Sequence, residues 1–408
     1  MCNAKMPDER PAQTLPSGWR TVRFGDVAHN VREVERDPLA AGIERYVGLE
    51  HVEPENLHIK SWGLVAEGTT FTQRFRRGQV LFGKRRAYQR KVAVAEFEGV
   101  CSGDILVFET KDERLLLELL PFIVQSDSFF ANALRTSSGS LSPRTRWRDL
   151  ATYEFPLPPL DEQRRITDIL WAAEEAMQTQ ENLIARLWGF RQVLLDHLLP
   201  GPLATDLPAI IRLRDICGMQ NGRAFPSQDY QKQGIKLLRP GNLGSDGYFD
   251  WREDITRFLP TTYLEIARDY VVEPGDVVIN LTAQSLEDGF MGRVCIAREG
   301  DQSLLNQRIG LFRCINVLLP EYLFRCLQTT RFRRLVEARC EGSKIKHLYW
   351  QHLEGFELLC PAVEEQEAVV EQFAIIDATI KSAIAHREGT SNLRYSLREK
   401  LLSSGAVP

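Results

Sequence analysis

The spacing of apolar positions divides the chain into two β-rich segments and two long helical segments. In residues 15–158 and 207–361, short runs of β-favouring residues, such as 104–108, alternate with Gly-Asp, Pro-Gly and Gly-Ser turn signals. Helical patterns over 113–125 and 321–340 lie between these runs. Each segment therefore predicts an α+β domain with a twisted or barrel-like sheet.

The first helical segment, residues 161–199, lacks proline and predicts one continuous helix. Its apolar residues recur in alternating steps of four and three, with Gln180 and Arg191 filling two positions of the pattern. This 3.5-residue period is typical of a coiled-coil seam, and the 39 residues would extend about 58 Å at 1.5 Å per residue. The apolar seam positions are Ile166, Leu170, Ala173, Met177, Ile184, Leu187, Leu194 and Leu198.

The same seam returns 203 residues later, with polar residues at three of its ten positions. Two helices of equal length and matching period are expected to pack against each other. The alternative is that each helix only covers its own domain, although such covering helices are usually shorter. The apolar positions of the second seam are Val369, Phe373, Ile376, Ile380, Ala383, Leu397 and Leu401.

Landmarks with the same offset of 203 residues precede and open each helix, so the chain is predicted to contain an internal repeat. Trp147 and Trp350, one such pair, are expected to anchor the core beside the helices. The other landmark pairs are Gly139-Ser140 with Gly342-Ser343, Pro158 with Pro361, and Glu162-Gln163 with Glu365-Gln366. The predicted division is domain one at 1–158, helix one at 159–200, domain two at 201–361 and helix two at 362–408.

Composition narrows the class of protein without identifying it. The 408 residues are 26% charged and 43% hydrophobic, which is typical of globular domains. We find no apolar stretch long enough for a membrane span, and no apolar core of a secretory signal near the N-terminus. Eight cysteines without a CxxC pair favour reduced thiols and a cytoplasmic location over a disulfide framework or a zinc site.

The net charge of −4 hides a strong local pattern. The helical segments carry the acidic surplus, whereas residues 74–91 contain eight cations and no acid, and residues 135–148 also lack acids. Cations beside small hydroxyl residues and glycines suit phosphate binding, although a solvated surface is the simpler alternative. The candidate residues for an anionic partner in the first domain are Arg74, Arg76, Arg77, Lys84, Arg85, Arg86, Tyr88, Arg90, Lys91, Ser140, Arg144 and Arg146.

A search for catalytic motifs gives none. The seven histidines show no HExxH or Cys/His metal-ligand spacing, and neither a phosphate-binding loop nor a GxGxxG motif is present. Asp104 could be an isolated functional acid, but a Gly-Asp pair before a strand is more often a turn. The sequence therefore predicts a binding protein without catalytic residues or a metal site.

The run PLPPLDEQRRITDIL, which ends at Leu170, resembles the start of the spacer helices in type I restriction–modification specificity subunits. Residues 83–108 are similar to a segment of the target-recognition domains of that family. The resemblance implies two recognition domains that each read half of a split double-stranded DNA target. It also implies an antiparallel coiled coil between them and a pseudo-twofold arrangement of the repeats. Under the resemblance, the candidate residues of the first domain become candidate DNA-binding residues. Those that it implies in the second domain are Asn280, Gln284, Arg293, Arg308, Ser343, Lys344 and Lys346.

The same resemblance implies that the chemistry belongs to partners. Modification subunits would use S-adenosylmethionine to methylate adenine, and restriction subunits would use ATP and Mg for DNA movement and cleavage. The acidic outer faces of the helices would be candidate docking surfaces for those subunits. Two alternatives stay open: a protein-interaction scaffold that binds no DNA, and a diverged nuclease or methyltransferase fused into a recognition domain.

Overall fold

The computed structural model describes residues 15–200, 210–315 and 317–404, which form two compact units. The first unit contains the described residues up to Glu181 together with those from Ala385 onward. The second unit contains those from Asn182 to Ile384. Each long helix thus contributes one part of its length to each unit.

In the N-terminal half of the chain the strands are short and the last helix is long. The strands are β1 (Arg20–Arg23), β2 (Ala28–Val31), β3 (Arg45–Val47), β4 (Gly63–Leu64), β5 (Gln73–Phe75), β6 (Val80–Gly83), β7 (Val92–Val94), β8 (Gly99–Cys101), β9 (Ile105–Thr110) and β10 (Glu154–Leu157). The helices are α1 (Phe24–Val27), α2 (Leu120–Gln125), α3 (Asp127–Arg135), α4 (Trp147–Leu150) and α5 (Leu160–Leu198).

The C-terminal half repeats this order of elements with one additional short helix and one additional strand pair. Its strands are β11 (Ile210–Arg212), β12 (Cys217–Asn221), β13 (Ile235–Leu238), β14 (Arg257–Leu259), β15 (Val271–Val272), β16 (Val277–Asn280), β17 (Thr282–Ala283), β18 (Val294–Ile296), β19 (Ser303–Leu305), β20 (Ile309–Cys314), β21 (Lys346–His347) and β22 (Glu357–Leu359). Its helices are α6 (Leu213–Ile216), α7 (Tyr263–Ile266), α8 (Pro320–Cys326), α9 (Thr330–Arg339), α10 (Trp350–Leu353) and α11 (Val363–Ser404).

Two four-stranded sheets form the first unit. One sheet has the antiparallel order β2-β9-β6-β7, and the other has the order β4-β3-β8-β5, in which β3 and β8 run parallel. Alternation along β6 explains the layers, because Leu81 packs between the sheets while Val80 and Phe82 face the helices. The predicted domain with a twisted sheet is thus a sheet-on-sheet arrangement with helices on one outer face.

The second unit has the same plan. Its sheets have the orders β12-β20-β16-β18 and β14-β13-β19-β15, and the parallel pair is β13 with β19. Val278 packs between the sheets, whereas Val277 and Ile279 join the core that faces the helices. Corresponding strands of the two units have corresponding neighbours in their sheets. The internal repeat predicted from the sequence is therefore confirmed at the level of topology.

The long helices pack on each other and on the domain cores within each unit. In the first unit, Ile166 and Leu170 of α5 share a buried cluster with Leu401 of α11. In the second unit, Leu195 of α5 is buried in one cluster with Phe373 of α11. Early α5 thus meets late α11 and late α5 meets early α11, so the predicted antiparallel packing is confirmed. All twenty predicted seam positions, including the polar ones, are buried or half-buried.

A single buried glutamine explains why the Glu-Gln landmark repeats at the start of both helices. Gln163 is 1% exposed, accepts a hydrogen bond from the backbone N–H of Leu116 (2.9 Å) and donates to the carbonyls of Arg114 and Pro158. Gln366 repeats all three contacts in the second unit, each with the residue 203 positions later. The landmark therefore fixes the junction between each domain and its helix.

The helix predicted over 321–340 is two helices, because Thr329 caps a new one. Its side-chain oxygen accepts from the Phe332 N–H, so α9 starts separately from α8. Ser126 does the same for α3 through the Phe129 N–H, which limits α2 to Leu120–Gln125. The helical pattern predicted from residue 113 forms the helix α2 only from Leu120, with a proline in its first turn.

One cysteine pair contradicts the expectation of reduced thiols. Cys217 on β12 and Cys314 on β20 are direct cross-strand partners with Cα atoms 4.0 Å apart, and they form a disulfide. Their separation of 97 residues left no local spacing to indicate the bond. The corresponding pair in the first unit is Ala28 with Thr110. Cys2 lies outside the described residues, and the remaining five cysteines are free.

Within the described ranges, no helix combines the length and apolar character that a membrane crossing requires. The same residues contain no cluster of three or more His, Cys, Asp or Glu side chains with the geometry of a metal site. Trp147 packs against Phe24 with ring centroids 5.7 Å apart, and Trp350 is partly buried against the second core. Both tryptophans are core residues, as predicted.

Candidate nucleic-acid interface

The two acid-free runs of the first domain fold into adjoining loops. Residues 84–91 follow β6, and residues 137–145 precede α4. The Arg86 N–H donates to the Pro143 carbonyl (2.8 Å), and the Thr145 N–H donates to the Lys84 carbonyl (3.0 Å). Cations that are sixty residues apart in sequence are thus brought to one edge of the sheet.

Asp104, at the start of β9, organises the arginines between these loops. Its carboxylate contacts the Arg144 Nε (2.8 Å) and lies 3.6 Å from a terminal nitrogen of Arg85. Hydrogen bonding from Arg144 holds the pKa of Asp104 below its usual range, and the charges of Arg85 and Lys84 act in the same direction. Asp104 therefore lies in the turn before β9 that the sequence favoured, and its carboxylate also acts as a charged clamp between the loops.

Several predicted residues on or beside these loops present their polar groups outward, and so does Arg77 in the turn before β6, at the opposite end of that strand from Lys84. No ion pair or side-chain hydrogen bond engages them within the described ranges, and all but the half-buried Lys84 are exposed. They are Arg77, Lys84, Arg86, Tyr88, Ser140 and Arg146. The backbone of Arg86 is left-handed (φ 54°), so the loop holds this cation in a conformation that non-glycine residues seldom adopt.

Four other predicted cations of the first domain, namely Arg74, Arg76, Lys91 and Arg90, bind protein groups. Arg74 pairs with Glu33 and Glu98, and Arg76 pairs with Glu33 (2.8 Å). The Lys91 Nζ donates to the Leu49 carbonyl (2.6 Å).

Arg90 is held even more firmly by the protein. Its guanidinium contacts Glu55 and Asp127, donates to the Gln125 carbonyl (2.9 Å) and lies 4.6 Å from the centre of the Phe130 ring. These contacts with the protein distinguish Arg90 from its neighbour Arg86, although both arginines lie in the same acid-free run of the sequence.

In the second domain, the predicted residues separate in the same way. Asn280 is fully buried, and its amide donates to the carbonyls of Thr282 and Phe290, so it shapes the turn after β16. The Arg293 guanidinium donates to the Leu243 carbonyl (3.0 Å). Lys346 is half-buried in β21, opposite Ala283.

The remaining predicted residues of the second domain are exposed on two adjoining segments and one nearby turn. Pairing of β17 with β21 brings Gln284 close to the turn that contains Ser343 and Lys344. Arg308 lies on the turn between β19 and β20, and its carbonyl accepts from the Leu281 N–H (3.0 Å). Within the second domain, the exposed groups thus occupy the sheet edge that corresponds to the loop edge of the first domain.

Sequence reasoning missed Arg239, which follows β13 and faces the Arg308 turn across a cleft. Its counterpart in the first domain is a glycine, so no repeated residue type marked the position. The two positions can be aligned only by comparing the strand pairing in the two domains.

A family model described as "Type I restriction modification DNA specificity domain" matches residues 16–187 and again 209–387. The specificity subunit of the type I restriction enzyme MjaVIII from Methanocaldococcus jannaschii is 21% identical over 95% of this chain and 93% of its own length. The EcoDI specificity subunit from Escherichia coli is 28% identical over 47% of this chain and 44% of its own length.

Two solved structures have the same fold. One, from a study of complex assembly and conformational transition in the type I R-M system, has a TM-score of 0.61 at 21% identity and covers 96% of this chain and all of its own. The S subunit of a type I system from M. genitalium has a TM-score of 0.53 at 12% identity, with 97% and 98% coverage.

Proposed function

This chain belongs to the type I restriction–modification DNA specificity family, and from that premise we propose how its residues read DNA. Each domain contributes one recognition surface, and together the surfaces read the two halves of a split double-stranded target. The observation that carries the proposal is the pair of adjoining loops in the first domain. They gather exposed cations from distant parts of the chain, and the acid between the two loops, Asp104, is already paired with arginines.

The proposed DNA contacts are those predicted residues whose polar groups are not engaged by the protein. In the first domain they are Arg77, Lys84, Arg86, Tyr88, Ser140 and Arg146, supported by Arg85 and Arg144. In the second domain they are Gln284, Arg308, Ser343 and Lys344, with Lys346 at the margin. We assign Arg74, Arg76, Arg90, Lys91, Asn280 and Arg293 to supporting roles, because their side chains bind protein groups.

The chain is the specificity subunit and is itself non-catalytic. In type I systems the cofactors reside on the modification and restriction subunits, so S-adenosylmethionine, ATP and Mg belong to those partners. We propose that this chain directs adenine methylation or cleavage by positioning those subunits at its target. We also propose a cytoplasmic location, where such a complex meets its DNA.

Selection from random-sequence DNA tests the proposal. The full chain, assembled with its modification subunits, is incubated with random duplexes, and the bound duplexes are sequenced. A split consensus with a gap of fixed length is expected. Absence of any enriched sequence would support the interaction-scaffold alternative instead. S-adenosylmethionine binding or metal-dependent cleavage by the chain alone would support the fused-enzyme alternative.

A further inference from the structure

The two domains carry opposite charges at one corresponding position of their sheets. In the first domain the Ser102 N–H donates to the Val47 carbonyl, and the Lys84 N–H donates to the Asp104 carbonyl. In the second domain Asn306 and Arg308 occupy the places of Ser102 and Asp104, with the same backbone bonds to β13 and to the turn after β16. Arg308 therefore corresponds to Asp104 of the first domain.

A second position beside it changes in the same direction. The Gly48 N–H donates to the His51 side chain in the first domain, and the Arg239 N–H donates to the Asn242 side chain in the second. Arg239 thus replaces a glycine at the end of the strand next to the Arg308 turn. Because both changes add a guanidinium, the second domain gains two cations and loses one carboxylate at these two positions.

These two arginines line a cleft of about 580 Å³ in the second domain. Its other lining groups include Asn306, Gln307 and Arg257, and Asp254 is the one carboxylate residue among them. Arg257 is fixed by donation to the Asp254 and Thr256 carbonyls. By contrast, the side chains of Arg308 and Arg239 have no ion pair or hydrogen bond to any described residue.

An exposed arginine without a protein partner is well suited to bind a base edge. Its planar guanidinium can donate two parallel hydrogen bonds, and guanine presents two acceptors, O6 and N7, side by side in the major groove. In the first domain, Asp104 and Arg144 satisfy each other at the corresponding place. That domain has no unengaged guanidinium at this position.

We propose that Arg308 determines sequence specificity in the second half-site by reading a guanine, while Arg239 binds the adjacent phosphate backbone. The inference rests on the proposed function and adds to it the residue and the base class. It also predicts that the two half-sites are read with different chemistry at corresponding positions. A phosphate contact gives affinity for all sequences, whereas the two-bond contact distinguishes one base from the other three.

Four single variants of the full chain, each assembled with modification subunits, test the proposal through selection from random duplexes. Arg308→Ala is expected to lower the preference for guanine at one position of one half-site by about 10- to 100-fold. Arg308→Lys, which keeps the charge but not the fork, is expected to lose the preference and keep most of the affinity. Arg239→Ala is expected to weaken binding of all sequences alike.

Arg214→Ala is the matched control, because Arg214 is an exposed arginine of the same domain at the α6 turn. It is expected to change neither base preference nor affinity. The inference is overturned if Arg308→Ala leaves every base preference intact, or only reduces affinity uniformly, while the gapped consensus persists. If the unmodified chain selects no gapped consensus, the proposed function fails first, so the two failures are distinguishable.

Discussion

Asp104 shows how one acidic side chain can set the charge of a binding loop. Its carboxylate is shared between Arg144 and Arg85, so these arginines present less net positive charge than the sequence suggests. The proposed contacts Lys84 and Arg86 lie in the same loop but are not paired with it. Whether a cation of this region is paired or free therefore depends on its own contacts, and not on the charge of the segment.

Replacing Asp104 with Asn is expected to raise the affinity for non-specific duplex DNA. The variant removes one negative charge from beside the two arginines, so the dependence of log K on log salt should steepen by about one unit. The pKa of Asp104 lies below its ordinary value, so its charge is complete above that ordinary value and is lost only as the pH falls through the lowered pKa. The effect should hence be the same at pH 6 and pH 8, measured by fluorescence anisotropy at several salt concentrations.

The control for this prediction is Asp112→Asn, because Asp112 is also paired with an arginine, Arg114 (2.7 Å). It follows the far end of β9, roughly 20 Å along the strand from Asp104. The control should leave DNA affinity unchanged. Equal effects of the two variants would mean that total charge, rather than the loop, determines binding.

Gln163 gives a second prediction at this scale. Gln163→Glu removes the donor to the Arg114 and Pro158 carbonyls and buries a carboxylate among them. We expect the free energy of unfolding to fall by about 2–3 kcal/mol, the range for leaving buried polar groups unsatisfied. Glu162→Gln, one residue earlier, is the matched control because Glu162 pairs with Arg165 within the first turns of the same helix. Urea unfolding of both variants checks this, and similar losses would contradict it.

At the scale of elements, the helix pair contains two buried ion pairs that correspond through the repeat. In the first unit Arg394 of α11 contacts Glu174 of α5 (2.9 Å), and in the second unit Arg191 of α5 contacts Asp377 of α11 (2.6 Å). Glu174 corresponds to Asp377, and Arg191 corresponds to Arg394, each at the offset of 203 residues. The heptad pattern placed Arg191 and Arg394 on the seam, but it did not include their acidic partners and could not show that these charges were satisfied across the helix pair.

The two pairs differ in how their acids are supported. Asp377 also contacts Arg325 (2.8 Å) and accepts from the Tyr248 hydroxyl (3.2 Å). Glu174 has Arg394 as its ion-pair partner, and burial raises the pKa of Glu174 against the opposing effect of that arginine. The consequences of removing the arginine should therefore differ between the units.

Arg394→Met is expected to lower the free energy of unfolding by about 3–5 kcal/mol, because it leaves a buried carboxylate unpaired. Arg191→Met should cost less, since Asp377 keeps Arg325. A raised pKa favours the protonated acid in the folded state, so the loss in Arg394→Met should be smaller at pH 5 than at pH 8. Urea unfolding measures the loss, and amide exchange along α5 locates it. The double variant with Glu174→Gln should recover much of the stability; no recovery would contradict the argument.

Most elements could be predicted from sequence where the signal was periodic or repeated. The helices α5 and α11 follow from their 3.5-residue period, and the domain–helix junction follows from the Glu-Gln landmark. Contacts between distant residues could not be predicted. Only the folded sheets show that Arg90 is held by Glu55 whereas Arg86 is exposed, that Cys217 is opposite Cys314, and that Arg308 takes the place of Asp104.

At the scale of the whole molecule, the net charge of −4 is an average over regions with different tasks. The helical segments carry an acidic surplus, with 4 basic against 7 acidic residues in 161–199 and 5 against 7 in 362–408. The domains are balanced overall and expose their unengaged cations on particular loops. DNA binding by an acidic chain is consistent with this distribution, because phosphate contacts depend on the local charge of the surface that meets them.

If each domain reads one half-site, loss of cations from one domain should affect that half-site alone. The triple variant Lys84→Ala, Arg86→Ala and Arg146→Ala removes three unengaged cations of the first domain, so the salt dependence should weaken by about 2.7 units, near 0.9 per phosphate contact. Enrichment at the other half-site and the length of the gap should stay as in the unmodified chain. Equilibrium binding across a salt series, followed by selection from random duplexes, measures both quantities. Simultaneous loss of both half-sites, with the protein still folded, would show that the two surfaces are not independent readers.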